Sequence, residues 1–171
     1  MTTYKSGEAA SSTIIKASGC VPIIIHPCTV SDMENAPNLA DLLAEYGAAS
    51  AIDGLGAPAA QLETYRQLEA VGVLHLIGAY QGDNLVGFLI MIISVLPHYG
   101  ARVGSTESFF VASTARKTGA GLKLLREAER IAATLGAVGF LVSAPVGSRL
   151  DQVLTAKRYL ETSHVFFKAL A

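Results

Sequence analysis

Cysteine is scarce in this chain: Cys20 and Cys28 are the only two among 171 residues. Two thiols cannot build a disulfide framework, and with His26 they supply at most three of the four ligands of a structural zinc. Two reduced thiols beside a strand is the expected state. Charge is scarce as well. Asp, Glu, Lys and Arg make up 16% of the residues and the formal net charge is -1, so no basic field exists for a phosphate backbone and nucleic acid is not an expected partner. Long apolar runs are missing too. The most apolar one, Leu85 to Leu96, falls short of the roughly 20 helical residues that cross a bilayer and reads as a buried strand. Met1 to Gly19 is rich in Ser, Thr, Ala and Gly and lacks the basic start and apolar stretch of a secretory signal. A cytoplasmic chain with no membrane partner is expected.

Apolar residues, in contrast, make up 51%, ample to offset the conformational entropy lost on folding. The length suits one ordinary domain with a core that needs no staples. The expected organisation is a flexible N-terminal segment, residues 1–19, followed by a single domain over residues 20–171.

Val21 to His26 is a short β-branched run, predicted as the first strand, and Thr29, Ser31 and Asp32 behind it can cap a helix. Leu39, Leu42, Leu43 and Tyr46 have helical spacing within a helix expected from Met33 to Tyr46; Leu62, Tyr65 and Leu68 repeat it within Pro58 to Ala70. Between them Gly54-x-Gly56-x-x-Ala59 formally matches a dinucleotide fingerprint, but no convincing strand precedes it and it reads as a flexible connection. Val73 to Tyr80 and Leu85 to Leu96 flank Gln81-Gly82-Asp83-Asn84 and form an antiparallel hairpin. A loop from Pro97 to Gly104 leads to a strand over Thr106 to Ala112. From Gly119 to Leu135, Leu122, Leu125, Ala128, Ala132 and Leu135 share one face of an amphipathic helix. A parallel strand over Val138 to Ala144, a helix over Ser148 to Lys157 and a last strand over His164 to Leu170 complete the series.

The stretch with chemical content runs from Phe109 to Leu122. Main-chain N-H groups at a helix start lack internal partners and carry the positive end of the dipole, so a pyrophosphate can be held there without side chains. Gly119 and Gly121 allow close approach, and Arg116 with Lys117 adds positive charge at the rim. No Gly-Lys-Ser or Gly-Lys-Thr follows, which excludes a Walker A loop. Arg116-x-x-Gly119-x-Gly121, behind a strand ending in Phe110-Val111 and ahead of a helix, resembles the coenzyme A pyrophosphate loop of the GNAT family of N-acetyltransferases. The order of elements is similar to that family's over about residues 20–171.

The resemblance implies an α/β (α+β) fold with a mixed, mostly antiparallel sheet, helices on both faces and a splayed parallel strand pair. It implies acetyl coenzyme A as cosubstrate, held in the splay by main-chain groups of Phe109, Phe110 and Val111 and by the loop Arg116, Lys117, Thr118, Gly119, Ala120, Gly121 and Leu122, with no metal. It further implies a small-molecule or peptide amine as acceptor. A free amine is neutral about once in a thousand at pH 7, so a base is useful. Glu107 is the candidate base, because Glu107-x-Phe109-Phe110-Val111 resembles the segment carrying a proposed catalytic glutamate in the polyamine acetyltransferases; an ordinary solvent-facing glutamate is the competing reading. His98, and Tyr99 beside it, stand in the loop before that strand and could serve as acid or base.

The family's tyrosine acid aligns with Leu154, which cannot donate a proton, and its asparagine with Gly147. Tyr159, water, or no working acid are the alternatives left. His75 and His164 read as structural residues of apolar strands. A noncatalytic acyl coenzyme A binding module on the same fold therefore stays open beside the enzyme. Glu34, Asp41, Glu45 and Asp53, on or between the first two helices, make a cationic acceptor conceivable, and exposed strand edges leave room for a homodimer.

Overall fold

The computed structural model describes residues 21–55 and 59–170. The N-terminal segment, Cys20 and the Gly56 of the fingerprint-like run lie outside the described residues. Among the described residues a five-stranded sheet in the order β1-β2-β3-β4-β5 organises the fold. Its strands are β1 (Ile23–Cys28), β2 (Leu74–Gln81), β3 (Asn84–Leu96), β4 (Ala101–Val111) and β5 (Gly139–Leu141). The first four run antiparallel and β5 lies parallel to β4. Between β1 and β2 come α1 (Val30–Glu34), α2 (Leu39–Ser50) and α3 (Leu62–Ala70); α4 (Ala120–Thr134) joins β4 to β5, and α5 (Arg149–Ala156) follows.

Two cores flank the sheet. Ile77, Ala79, Leu89 and Met91 face α4, packing on Leu124, Leu125, Ala128 and Ala132. Leu74, Leu76, Phe88, Ile90 and Phe110 face α1 to α3, packing on Val30, Met33 and Leu42. Thr29 caps α1 by accepting from the Asp32 N-H, while Asp32 accepts from the Thr29 N-H in return. Asn38, at the start of α2, accepts from the Leu85 N-H at 2.9 Å and donates to its carbonyl at 2.8 Å, tying the helix to β3. Gly104 on β4 faces both Ala132 and Phe140, and a Cβ there would lie 2.7 Å from the Phe140 ring. A side chain would push α4 and β5 off the strand.

Several expected boundaries move. The helix expected over Met33 to Tyr46 divides at Pro37, which has no N-H and restricts Ala36 before it. The helix expected from Pro58 starts at Leu62, and the loop expected to run to Gly104 closes by Gly100, at φ 60, so β4 starts at Ala101. The strand expected over Val138 to Ala144 contracts to three residues. The last strand, expected over His164 to Leu170, does not form: this segment has no regular structure, and Val165, Phe166 and Leu170 are each 90% exposed. A strand exists only through a partner, and a three-residue β5 offers too short an edge. His164 accordingly stands outside any strand, on an exposed pair with Glu161.

Candidate active site

The pairing of β4 and β5 is short. Val103, Gly104 and Ser105 match Gly139, Phe140 and Leu141; beyond them β4 continues for six residues to Val111, while β5 has ended. Ser143 last touches β4 by donating its N-H to Thr106 Oγ1 at 3.0 Å. Among the described residues, the downstream half of β4 thus has one edge without a strand partner. The Ala112 N-H donates to the Val86 carbonyl at 2.9 Å, which makes those two a hydrogen-bonded pair, and antiparallel alternation then aims the main-chain groups of Phe110 at β3. Those of Phe109 and Val111 are left aimed at the free edge. Of the three neighbours expected to present main-chain groups, Phe110 is therefore corrected: its polar backbone belongs to the ladder and its ring to the core.

After β4 the chain makes one 3-10 turn, Ser113–Ala115, and reaches α4 through Gly119 at φ 82, a left-handed conformation in which glycine carries no Cβ penalty. Gly119, the N-cap of α4, has no side chain to cap the helix, although Thr118 Oγ1 accepts from the Ala120 N-H at 3.3 Å. The following amides of the first turn keep the positive end of the helix dipole free for an anion. Gly121 faces β4, its Cβ position 3.5 Å from the Phe109 ring and 3.6 Å from a Val111 methyl. The loop expected from Lys117 to Leu122 and the free edge of β4 are therefore adjacent.

Arg116 does not stand at the rim. Its Nε donates to the Val111 carbonyl at 3.0 Å, its guanidinium lies over the Phe110 ring, and Glu45 Oε1 is 3.7 Å from Nη2. The short side of the turn and the nearby Glu45 carboxylate together draw it back over the strand end. Glu45 also accepts the Ser113 N-H at 2.8 Å, so one carboxylate from α2 orders the turn. Lys117 is exposed.

Glu107 occupies a β-bulge. Ser108 matches Ile90 and Thr106 matches Met91, leaving Glu107 as the extra residue, a device that re-aims a side chain. It is exposed, and its charge reaches Tyr46 on α2 and Tyr65 on α3. Burial, and then the Glu107 charge, raise both phenols above their ordinary range, so both stay protonated donors at neutral pH. Ser108 beside it is buried, its hydroxyl set against the Tyr46 phenol without a well-formed hydrogen bond. Tyr46, Tyr65 and Ser108 have no mark in the sequence beyond a helical stripe and a strand, and Glu45 is marked there only as one of four acidic residues near the first helices, because their partners stand tens of residues away.

The remaining candidates disperse. His98 stacks on Tyr99 at the exposed β3–β4 turn; the six residues of β4 from Ala101 to Thr106, about 20 Å of extended chain, separate that turn from Glu107, so it is corrected from an active-site group to a hairpin tip. Tyr159 Oη donates to Glu129 on α4, and burial followed by that carboxylate raises its pKa. Leu154 is buried in the α4 core and Gly147 sits at φ 73 in a turn. His75 keeps Nε2 buried and unpartnered. Burial pushes the Cys28 thiol up to about 11, leaving it inert. Glu34 is bound by Arg66 at 2.5 and 2.6 Å. Among the described residues no cluster of His, Cys, Asp or Glu could hold a metal, and no helix is long and apolar enough to cross a membrane.

Solved structures with this fold match nearly their whole length. A ribosomal-protein-alanine N-acetyltransferase from Brucella melitensis biovar Abortus is 20% identical at a TM-score of 0.63, over 86% of this chain and 97% of its own. An aminoglycoside acetyltransferase from an uncultured soil metagenomic sample, in complex with sisomicin, is 17% identical at 0.66, over 87% and 96%. Glucosamine-6-phosphate N-acetyltransferase from Arabidopsis thaliana is 13% identical at 0.64, over 86% and 97%. These likenesses concern the fold. No curated protein matches the chain. The family model described as the acetyltransferase (GNAT) family matches residues 41–149, more than half of the chain and the whole stretch from α2 to the start of α5. The chain belongs to the GNAT acetyltransferase family, whose chemistry is acyl transfer from an acyl coenzyme A.

Proposed function

We propose that the protein is an N-acetyltransferase that moves an acetyl group from acetyl coenzyme A to an amine by direct attack. The observation that carries this reading is the free edge of β4 beside the uncapped start of α4. Main-chain groups of Phe109 and Val111 would hold the pantetheine arm once Arg116 leaves the Val111 carbonyl. Amides from Lys117 to Leu122 would hold the pyrophosphate, with Arg116 turning toward it. Glu107 takes the proton of the incoming ammonium. The nitrogen then attacks the thioester carbonyl, whose oxygen an outward N-H near Phe109 to Val111 stabilises; the carbon–nitrogen bond forms and the carbon–sulfur bond breaks. The nitrogen, left with a surplus proton after attack, passes it through water to the departing thiolate, since the Tyr159 hydroxyl is engaged by Glu129 and its raised pKa makes it a poor acid.

A small-molecule or peptide amine is the acceptor in this reading and the cytoplasm the place of action, with residues 20–171 as the working domain. The bare segment His164 to Leu170 suits self-association as a homodimer, to be checked by sedimentation of the full chain. A noncatalytic acyl coenzyme A binding module is the second reading, favoured by the buried Leu154 and by Tyr159 being engaged elsewhere.

Two measurements separate the readings. At a hundred times its Kd, acetyl coenzyme A should add about 2.7 kcal/mol, raising the unfolding midpoint by about 5 to 11 °C. Absence of any shift at millimolar ligand would remove the cofactor site. Thiol release in the presence of amines should follow, and Glu107→Gln should lower it by about 100-fold or more with the midpoint shift retained. Binding without acceptor-dependent release would establish the module instead.

A further inference from the structure

Of the two cations in the loop before α4, Lys117 is exposed and Arg116 is folded back. Three contacts hold Arg116 there. Its Nε donates to the Val111 carbonyl at 3.0 Å, its Cζ lies 5.6 Å from the centre of the Phe110 ring, and its Nη2 stands 3.7 Å from Glu45 Oε1. The Arg116 and Glu45 side chains are 44% and 37% exposed, so water competes for each contact and none biases the side chain by more than about tenfold. Together they favour this position without locking it.

The position matters for the atom it covers. The Ala112 N-H donates to the Val86 carbonyl, so the Val111 carbonyl is turned away from β3 and toward the edge that β5 leaves open. An amide arm laid along that edge needs this carbonyl as the acceptor for its own N-H. Arg116 therefore rests on an atom that a pantetheine arm must bond. A guanidinium bonds a phosphate oxygen more strongly than a neutral carbonyl, and the start of α4, just beyond Gly119, is where such an anion is favoured. A donor that carries a pyrophosphate brings the group that can draw Arg116 off the carbonyl. A donor without one has to displace it unaided.

Glu45 weights the resting position from outside the loop. It belongs to α2, on the other face of the sheet from α4, and its Oε1 also accepts the Ser113 N-H at 2.8 Å. One carboxylate thus orders the turn after β4 and attracts Arg116. Replacing its charge while keeping an acceptor oxygen separates the two roles.

We propose that Arg116 is a specificity-determining residue: it rests on the Val111 carbonyl, held there by Glu45, and yields that carbonyl to a donor whose pyrophosphate it takes in exchange. The site then selects coenzyme A thioesters over phosphate-free pantetheine thioesters. The inference rests on the acetyltransferase reading and adds donor selection to it. Glu45 is a positioning residue, acting through Arg116.

The test is calorimetric binding of acetyl coenzyme A and of S-acetylpantetheine to the full chain, as the wild type, Arg116→Ala and Glu45→Gln. Arg116→Ala should move the two ligands in opposite directions. Its Kd for acetyl coenzyme A should rise about tenfold or more as the charged bonds to phosphate are lost, while its Kd for acetylpantetheine should fall about threefold to tenfold as the carbonyl is freed. Glu45→Gln, whose amide oxygen can still accept the Ser113 N-H, should tighten both ligands by up to about fivefold. Damage to the loop would weaken both ligands together, so the change of sign is the decisive readout. Acetylpantetheine binding that is not strengthened in Arg116→Ala, weaker acetyl coenzyme A binding in Glu45→Gln, or equal affinity of the wild type for the two ligands would overturn the proposal. Failure of the wild type to bind acetyl coenzyme A would instead bring down the acetyltransferase reading itself.

Discussion

On the α4 face of the sheet, Ile77, Ala79, Leu89, Leu124 and Ala128 are all 0% exposed. On the α1 to α3 face, a cavity remains, the hydroxyls of Ser108 and Tyr80 make no well-formed hydrogen bond, and α3 buries no residue fully. In the proposed function the first face backs a cofactor site built from main-chain groups, which need a rigid strand and a rigid helix start to hold their positions. In the same reading the second backs an acceptor site built from side chains, where looser packing leaves space to be shaped by what binds.

The most direct way to break this contrast is a pair of truncations. Leu124→Ala opens a hole in the closed core and should cost about 2 to 5 kcal/mol. Leu43→Ala enlarges a space already present and should cost no more than about half as much. Urea midpoints at equal m-values report both. Equal losses would mean that the two faces are packed alike.

A smaller effect tests the backbone character of the cofactor side. At Gly119 a Cβ would meet nothing within 4 Å, yet φ is 82, so Gly119→Ala should cost about 1 to 2 kcal/mol through the left-handed backbone alone. Relaxation of that strain would also displace the start of α4, so the midpoint shift on adding acetyl coenzyme A should shrink. Gly121→Ala makes only ordinary contacts and should leave the midpoint of the free protein unchanged. A cofactor response untouched by Gly119→Ala would disconnect the helix start from binding.

The same contrast governs what could be read from the sequence. The β2–β3 hairpin, the amphipathic α4 and the glycine turn before it are local matters, set by neighbours along the chain, and their positions follow from the residues themselves. The division at Pro37 is equally local, but the apolar spacing around it stays helical and masks it. Partnerships across the chain left no such mark. The lengths of β4 and β5, the unpaired His164 to Leu170 and the bulge at Glu107 all depend on what a strand meets sideways. Glu45 reaches a turn 68 residues away, and His98, though near Glu107 in sequence, is carried off by the extension of the strand that separates them.

The smallest effect concerns protons. Tyr65 on the acceptor side and Tyr159 on the α4 side both have raised pKa values, for burial first and a carboxylate second, Glu107 in one case and Glu129 in the other. An unfolded tyrosine ionises near pH 10, so above that pH the folded state keeps protons that the unfolded state has released. Stability should therefore be fully present below about pH 10 and fall as pH rises further. Both side chains are partly exposed, so screening limits the loss to less than about 1 kcal/mol for each. Glu107→Gln removes the carboxylate beside Tyr65 but not its burial, and Tyr159→Phe removes the second titration altogether. Unfolding midpoints between about pH 8 and 11 should thus fall less steeply in Tyr159→Phe than in Glu107→Gln, and both less than in the wild type. An unchanged slope in Glu107→Gln would place its carboxylate too far from Tyr65 to share the acceptor space.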